Sequence, residues 1–274
     1  GSPLTADKLF ADWTIANYLR EDQTSDPAYR YKLYPNAPKV SDTEELETCV
    51  GEENQRTVSQ YGTDYIAILC PGDLTIRFEG AQSVQLLPET PYEGEYAFWS
   101  NQGDESDMTL TREFDLTSAS APVSLKYRAW FDLEEDYDYV YVLASTDGKS
   151  WEMLRTPSGT DKNPAGCNYG WGYTGDSGGW IDESIDLSDY AGQKVRIRFE
   201  YVTDAAVNGR GLLLDDIRME ALDYQTGFEN DEGGWNADGF VRMSAALPQT
   251  FQVHLITEED DVFAKLPCCN HVGQ

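Results

Sequence analysis

The sequence predicts an all-β protein: a jelly-roll β-sandwich with a short N-terminal helix and a second, smaller β domain. Segments in which apolar and polar residues alternate recur from residue 61 onward, and turns rich in Gly, Asp and Asn separate them. Aromatic residues make up 12% of the chain and Gly contributes 23 residues, a composition that argues against disorder. Many short strands joined by such turns are typical of a sandwich or jelly roll.

An N-terminal helix is expected over residues 4–19, because apolar side chains recur there at helical spacing. Thr5 stands where a helix cap is expected. The apolar positions are Leu9, Trp13, Ala16 and Leu19. Residues 35–59 mix Pro, Asn, Ser and a run of acids, which predicts a connector or an extended loop.

Residues 130–151 predict a strand, an acidic corner, a second strand and a tight turn. The second strand alternates, with Val140, Val142 and Ala144 on one face and Tyr139, Tyr141 and Leu143 on the other. Asp147 and Gly148 then favour the positive backbone dihedrals of a two-residue hairpin turn. Acids crowd the corner between Phe131 and Tyr139, and so many charges need water or a cation.

Four further segments show the alternation of strands with one buried face. Their inward positions are Leu74, Ile76 and Phe78; Leu125, Tyr127, Ala129 and Phe131; Val195, Ile197, Phe199 and Tyr201; and Phe251, Val253 and Leu255. The strands at 61–88 and those at 225–258 flank the jelly roll, and neither set alone has enough strands to close a core. We hypothesise that 74–78 and 251–255 share a sheet, which would make the jelly roll an insertion in the smaller domain.

The charge of the chain limits its partners. The chain has 20 Lys and Arg against 49 Asp and Glu, which gives a net charge of −29. Such a surface repels phosphate backbones and anionic lipids, so we expect no nucleic-acid binding. We also expect no membrane insertion, since no apolar run approaches the ~20 residues needed to cross a bilayer. The chain shows no signal peptide or initiator Met, which predicts a mature or excised piece of a protein.

The five cysteines match neither a zinc ribbon nor a redox Cys-x-x-Cys motif. Cys49 and Cys70 flank one loop-to-strand segment and are the best candidates for a disulfide. The Cys-Cys-Asn-His segment at 268–271 makes a poor soft-metal site, because adjacent cysteines seldom chelate one tetrahedral ion. A disulfide, with Cys167 as one candidate partner, or free thiols are expected there instead. An acidic, aromatic-rich surface with disulfides fits a secreted, extracellular or cell-surface protein.

Several motifs occur together along nearly the whole chain. They are FADWTIANYL (10–19), FWSNQGD (98–104), LTREFDL (110–116), the run 130–151, GWGYTGDSGGW (170–180), FEYVTD (199–204), LDDI (214–217) and GFVR (239–242). Together they resemble the region that follows the catalytic domain in secreted bacterial zinc metallopeptidases of the immune inhibitor A type. The resemblance implies a helical peptidase tail at 1–35 and a MAM-like jelly-roll accessory domain at 91–222. The composition adds an acidic linker at 36–60, and the order of the strands along the chain adds a small discontinuous β domain at 61–90 plus 223–274.

The resemblance implies a non-catalytic accessory region. It would stabilise or orient its own upstream catalytic domain, or tether that domain to substrate. The zinc motif His-Glu-x-x-His is missing, since the only two histidines are His254 and His271. Zinc would therefore belong only to a catalytic domain outside these residues, and the parent protein would be the metalloendopeptidase. The alternative is an extracellular β-sandwich that binds a glycan, a surface or another extracellular protein, or that self-associates into a structure.

Two patterns imitate catalytic sites. Gly-Asp-Ser-Gly-Gly at 175–179 matches the nucleophile region of trypsin-like serine peptidases, but no His precedes Ser177 to act as the general base. We interpret this segment as a Gly-rich loop. Glu134, Asp136 and Asp138 alternate, so they can share one face of a strand. The sequence therefore leaves open the interpretation that two of them form the carboxylate pair of a glycoside hydrolase. A solvated acidic loop is the favoured interpretation, so we assign no catalytic residue.

Calcium is the cofactor that the acidic loops predict, as a structural ion, because hard oxygen ligands in flexible loops suit it. The candidate ligands are Asp104, Asp107, Asp215 and Asp216. The first two lie in a Gly-containing loop at 101–107, and the other two end the apolar run 212–214. Successive acids on a strand point to opposite faces, so only one of the second pair can face the first loop. The alternative is that Arg112, Arg210 or backbone amides satisfy these carboxylates.

Trp171, Tyr173 and Trp180 lie in the Gly-rich segment and are candidates for stacking on a sugar ring. The alternative is that they cap the core of the sandwich. The sequence does not separate the two.

Overall fold

The computed structural model describes residues 5–19, 29, 40–49, 51, 53–256 and 264–266 of the 274. The chain divides into two compact units, Ser83–Pro248 and a smaller unit made of Gly1–Gln82 with Gln249–Gln274. Helix α1 covers Ala6–Leu19. The strands are β1 (Glu44–Leu46), β2 (Ile66–Ile68), β3 (Ser83–Gln85), β4 (Tyr96–Trp99), β5 (Asp107–Asp115), β6 (Ser124–Asp132), β7 (Tyr139–Ser145), β8 (Glu152–Met153), β9 (Gly172–Tyr173), β10 (Ile181–Asp186), β11 (Lys194–Val202), β12 (Gly211–Met219), β13 (Tyr224–Thr226), β14 (Asn236–Asp238), β15 (Val241–Ser244), β16 (Ala246–Pro248), β17 (Val253–Leu255) and β18 (Ala264–Leu266).

The larger unit is an antiparallel β-sandwich, which confirms the predicted all-β class. Sheet I has six strands, in the order β10-β6-β12-β4-β15, with β13 also paired to β12. Sheet II has six strands, in the order β14-β5-β11-β7-β8, with β9 also paired to β7. The short strands β3 and β16, which are the first and last strands of this unit along the sequence, pair with each other.

The main core of the larger unit is built by the inward faces of its long strands. The alternation predicted for β6 and β11 is confirmed, since Leu125, Tyr127, Ala129, Phe131, Val195, Ile197, Phe199 and Tyr201 are all buried in one cluster. In β7, Val140, Val142 and Ala144 join this cluster, as predicted. The opposite face of β7 is buried as well, because Trp151, Met153 and Cys167 pack over Tyr139, Tyr141 and Leu143.

The turn after β7 is longer than the predicted two-residue hairpin. Ala144 lies opposite Glu152, so several residues separate the two strands. Gly148 does adopt a positive φ of 71°. The carboxylate of Asp147 accepts hydrogen bonds from the amides of Lys149 and Ser150, each at 2.8 Å, and these bonds lower the pKa of Asp147 to about 2. The turn is therefore closed by an aspartate side chain instead of by tight strand pairing.

Helix α1 begins as predicted, because the Thr5 hydroxyl accepts a hydrogen bond of 3.2 Å from the Lys8 amide. Its buried apolar positions are Ala11, Ile15, Ala16 and Leu19. Leu9 and Trp13 are 56% and 52% exposed, so the predicted apolar face is wrong at these two positions. The buried stripe is rotated around the helix away from them. Among the described residues, the structure has no helix long and apolar enough to cross a membrane.

The smaller unit contains the predicted disulfide. Strands β1 and β2 pair in parallel, and the bond between Cys49 and Cys70 follows their C-terminal ends, with a Cα–Cα distance of 5.9 Å. Residues 44–46 therefore form a strand inside the segment that was predicted to be a linker. Cys167 forms no disulfide within the described part of the chain, and the segment 268–271 lies outside the described residues.

The predicted domain boundaries differ from those of the structure. Strands β13, β14 and β15 were placed in the small domain, but they pair with β12, β5 and β4 of the sandwich. Residues 74–78 form no strand, and β17 pairs with β18, so the predicted sheet between 74–78 and 251–255 is wrong. Contact between the two segments is made by rings instead, with the centroids of Phe78 and Phe251 5.4 Å apart.

Because β11 lies at the centre of sheet II, we expect a cavity in the core beside it to lower the free energy of unfolding strongly. We expect Ile197→Ala, at a fully buried side chain, to lower the free energy of unfolding of the larger unit by about 2–4 kcal/mol. Arg196→Ala, at the exposed neighbouring position, should cost less than about 1 kcal/mol. Urea unfolding followed by tryptophan fluorescence measures both. Equal losses in the two variants would contradict the assigned inward face.

Candidate functional site

Three acids meet at one end of the sandwich and form the candidate site, which we call the acidic corner: Glu134, Asp138 and Asp204. Val202 lies opposite Tyr139 in the antiparallel pairing of β11 with β7. The residue before β7 therefore lies beside the residues that follow β11. Among the described residues, these three form the group whose carboxylate oxygens all lie within 4.8 Å of one another.

Asp138 is the buried member of the acidic corner, with 1% of its surface exposed. Its carboxylate accepts a hydrogen bond of 3.2 Å from the Tyr201 hydroxyl and one of 3.0 Å from the Asp204 amide. Burial raises the pKa of Asp138, and the charges of Asp204 and Glu134 raise it further. Burial also raises the pKa of Tyr201, and the neighbouring Asp138 adds to that rise. Tyr201 is therefore a neutral hydrogen-bond donor at physiological pH.

Glu134 is held over Asp138 by a compact turn. Its carbonyl oxygen accepts hydrogen bonds from the Asp138 amide at 3.1 Å and from the Thr174 hydroxyl at 3.2 Å. Asp136, inside the turn, has a φ of 70°. The Glu134 Oε2 atom is buried and has no hydrogen-bond partner among the described residues. A buried carboxylate oxygen without a partner is costly, because the group has lost its hydration.

No arginine, lysine or histidine of the described chain forms an ion pair with the acidic corner. Arg210, the nearest candidate named from the sequence, pairs with Asp132 at 3.2 Å. Three carboxylates in one place, with one fully buried, repel each other unless a cation or protons intervene. Their oxygen donors suit a hard cation such as Ca²⁺ and lack the nitrogen and sulfur ligands typical of zinc.

The loop that carries Asp104 and Asp107 lies beside the acidic corner, although neither carboxylate belongs to the group. The Glu105 amide donates a hydrogen bond of 2.6 Å to the Asp204 carbonyl. The Asp104 carboxylate accepts one of 2.6 Å from the Asn208 side chain. Asp107 begins β5 and is exposed. The predicted ligands Asp104 and Asp107 and the acidic corner therefore lie at the same end of the sandwich but do not share a carboxylate.

Asp215 and Asp216 are held by protein donors elsewhere in the sandwich. The carboxylate of Asp215, which is fully buried, accepts hydrogen bonds from the amides of Glu93 at 3.0 Å and Asp216 at 2.7 Å. Burial raises the pKa of Asp215 to about 6. Asp216 lies at a bulge in β12 with a φ of 47°, and its carboxylate pairs with Arg218. Backbone amides satisfy the first acid, as the alternative interpretation proposed, and an arginine satisfies the second.

The side chains of the three aromatic residues in the Gly-rich segment already form hydrogen bonds within the fold. Tyr173 is 1% exposed, and its hydroxyl donates a hydrogen bond of 2.9 Å to Glu183. It is therefore part of the core and is not presented for stacking, because β9 pairs with β7 and turns the ring inward. The indoles of Trp171 and Trp180 donate to the carbonyls of Thr156 and Thr90. These contacts favour the core-capping interpretation.

Ser177 has a structural role. Its hydroxyl accepts a hydrogen bond of 2.9 Å from the Phe131 amide and donates one of 3.1 Å to the Phe131 carbonyl. This pairing fixes the Gly-rich loop to the end of β6, as expected for a loop and not for a nucleophile.

Sequence reasoning missed the acidic corner as a unit. Glu134 and Asp138 were noticed as alternating acids, but Asp204 lies 66 residues after Asp138. Only the antiparallel pairing of β7 with β11 brings these residues together. The sequence signal for this site was that two acids flank strands with strong alternation. Asp138 immediately precedes β7, and Asp204 lies just beyond the end of β11.

Comparison with known proteins places this fold in a family. The family model "Immune inhibitor A-like, MAM domain" matches residues 80–245. The chain is 38% identical over 143 residues to "Pre-pro-metalloprotease PrtV" of Vibrio cholerae, which covers 52% of the chain and 15% of that protein. It is 33% identical over 159 residues to "Immune inhibitor A" of Bacillus thuringiensis subsp. alesti, covering 56% of the chain and 22% of that protein. It is 30% identical over 135 residues to "Bacillopeptidase F" of Bacillus subtilis, covering 47% of the chain and 8% of that protein.

These relatives are much longer than the matched region, which spans between 8% and 22% of their lengths. The matched residues 80–245 nearly coincide with the sandwich unit, Ser83–Pro248. The sequence resemblance to the immune inhibitor A type is thereby confirmed. The chain belongs to the immune inhibitor A-like MAM domain family.

Proposed function

We propose that this chain is a non-catalytic accessory region of an extracellular metallopeptidase and that it stabilises the catalytic domain of the same polypeptide. The observation that carries this proposal is the match of the whole sandwich to the immune inhibitor A-like MAM domain. Two of the relatives bear the names "Pre-pro-metalloprotease PrtV" and "Immune inhibitor A". The disulfide between Cys49 and Cys70 supports an oxidising, extracellular location.

Apolar side chains on the smaller unit support a stabilising role. Leu9 and Trp13 are one turn apart on α1 and each exposes more than half of its surface. Leu69, Leu74 and Ile76 of the same unit are also exposed. A pair of large exposed apolar side chains on one face of a helix, such as Leu9 and Trp13, supports a contact surface there. The occupant that fits the family is the catalytic domain of the parent protein.

The glycan-binding alternative receives less support. Tyr173 is buried, and the indole nitrogens of Trp171 and Trp180 already donate to backbone carbonyls. A stacking platform needs an aromatic face that is open to a sugar ring. The structure gives these three residues mainly a role in packing.

We also propose that the acidic corner binds a structural Ca²⁺ ion. Support comes from the clustered oxygens of Glu134, Asp138 and Asp204, from the unpartnered Oε2 of Glu134, and from the lack of an ion pair at these acids in the described chain. The ion would join the loop after β6 to the loop after β11. It would thereby fix one end of the sandwich that carries the accessory function.

The role of α1 is tested in the full-length parent protein. We expect the double substitution Leu9→Ser and Trp13→Ser to shorten the half-life of casein-hydrolysing activity at elevated temperature several-fold, because the catalytic domain loses an apolar contact. The kcat/KM at 25 °C should stay unchanged. Lys8→Ser, on the same helix, is the matched control. An unchanged half-life would contradict the stabilising role, and a rise in KM restricted to insoluble substrate would favour tethering instead.

The cation site is tested in the 274-residue chain. We expect 5 mM Ca²⁺ (roughly tenfold above the affinity typical of extracellular modules) to stabilise the larger unit by about 1–2 kcal/mol, and thus to raise its Tm by a few degrees. Asp138→Asn should abolish this response. Asp215→Asn should retain it, since that equally buried acid is held by backbone amides. Differential scanning calorimetry with and without chelator measures the shift, and a Tm indifferent to Ca²⁺ in the wild type would refute the site.

The raised pKa of Asp215 predicts that the stability of the fold decreases as the pH rises, whereas an ion-paired acid with a lowered pKa has the opposite effect. Its pKa is raised from 3.8 to about 6 in the folded state, so folding favours its protonated form. The free energy of unfolding should therefore fall as the pH rises from about 4 to 7, by on the order of 1–3 kcal/mol for this group. In chelator, urea unfolding at pH 5 and pH 7 should show a smaller fall for Asp215→Asn than for wild type. Identical pH dependences would contradict the assignment.

A further inference from the structure

Arg112 occupies an unusual position for a charged residue. Along β5 it alternates in step with Met108, Leu110 and Phe114, which are all buried in the core of the sandwich. Its side chain therefore lies on the inward face of the sheet. The guanidinium stacks on the ring of Tyr224, with 3.9 Å from Cζ to the ring centroid, and also contacts Phe114 at 5.0 Å.

This guanidinium has no acceptor within the described chain. Its Nε is buried without a hydrogen-bond partner, and the residue forms no ion pair with any described carboxylate. Most other arginines of the sandwich pair with acids, namely Arg128, Arg196, Arg198, Arg210 and Arg218. The imbalance is unexpected in a chain with a net charge of −29. A partly buried cation without an acceptor carries a desolvation cost that a bound anion would offset.

Arg112 lines an open groove of about 560 Å³ at the edge of the sandwich. Tyr224 forms one wall, and Gly233 and Gly234 bring backbone close to the guanidinium. Gly234 has a φ of +76°, and a Cβ there would collide with Nη1 of Arg112. Glycine at this position therefore keeps the guanidinium in its place and accessible from the groove.

Two of the three acids on the rim of the groove are engaged elsewhere. The Glu229 carboxylate accepts hydrogen bonds from the amides of Glu95 and Tyr96, each at 3.0 Å. The Asp231 carboxylate accepts one of 2.7 Å from the Gly233 amide. Glu93 also lines the groove and is exposed. These acids do not neutralise Arg112, but they disfavour any ligand that carries more than one negative charge.

We propose that this groove binds a peptide through a single carboxylate, which forms a bidentate pair with Arg112. The planar guanidinium matches the planar carboxylate, and the ring of Tyr224 holds the guanidinium in one orientation. The acidic rim selects a monoanion flanked by neutral groups, such as a peptide C-terminus or an isolated acidic side chain. This binding site goes beyond the proposed accessory function and does not depend on it.

The proposal is tested by NMR titration of the 274-residue chain, with the Nε–Hε resonance of Arg112 as the reporter. N-acetylglycine presents a C-terminal carboxylate, N-acetylaspartate amide an acidic side chain, and N-acetylglycinamide neither. We expect a saturable shift with at least one of the two carboxylates and none with the neutral probe. The stronger of the two identifies the source of the carboxylate. No shift with either carboxylate, or an equal shift with the neutral probe, overturns the proposal.

Variants separate binding at Arg112 from general charge effects. Arg112→Lys should weaken binding about tenfold or more, since lysine lacks the bidentate geometry. Arg155→Lys, at a guanidinium that stacks on Trp171 instead, should leave the affinity unchanged. Glu93→Gln removes a rim charge and should tighten binding a few-fold, which keeps the test informative if Arg112→Lys fails to fold. Unchanged affinity in both Arg112→Lys and Glu93→Gln overturns the proposal.

Discussion

The antiparallel pairing of β7 with β11 is the constraint on which the rest of the sandwich depends. Its register places Val142 opposite Phe199 and so joins two long strands of sheet II whose inward side chains are buried. Because both faces of β7 are covered, a slip of one residue would exchange its aliphatic face for its tyrosine face. The same register brings Asp138 against Asp204. Core packing and the acidic corner are thus set by one pairing.

The fold was predictable from sequence where the signal was local. The alternation in β6, β7 and β11 needs only neighbouring residues, and Cys49 and Cys70 stand out as the two cysteines that flank one segment. The acidic corner was not predictable in the same way, since Asp204 reaches Asp138 only through strand pairing. Residues 74–78 show the converse error, because their alternation has no partner strand and forms no sheet in the structure. Period-two patterns identify a strand only when a neighbouring strand exists to pair with it.

The buried or partly buried charged groups of the sandwich differ in how far other protein groups satisfy them. Asp215 is held by backbone amides, and Asp216 by Arg218. The Asp138 carboxylate accepts hydrogen bonds from the Tyr201 hydroxyl and the Asp204 amide, but it also lies close to two further carboxylates. Arg112 stacks on the rings of Tyr224 and Phe114, and its Nε has no hydrogen-bond partner among the described residues. A buried group whose polar atoms lack protein partners is one that a bound ion or ligand can stabilise, as we propose for the acidic corner and for Arg112. The partners of a charged group, and not how deeply the group is buried, therefore distinguish the structural acids from the groups that we propose to bind a ligand.

The packing of the aromatic residues supports our proposal that recognition by this module depends on charged groups. Tyr173 and Tyr201 lie in the core, and Trp171 and Trp180 donate to backbone carbonyls of their own chain. These four rings are committed to packing or to hydrogen bonds within the chain, whereas Tyr92, Tyr137 and Tyr169 of the sandwich are exposed. Long-range electrostatics then repels anions, and in the site that we propose a direct pair with Arg112 would offset this repulsion. A carboxylate that enters the groove would meet the guanidinium of Arg112, whose Nε has no hydrogen-bond partner among the described residues, so the proposed selectivity depends on this groove and not on the surface as a whole.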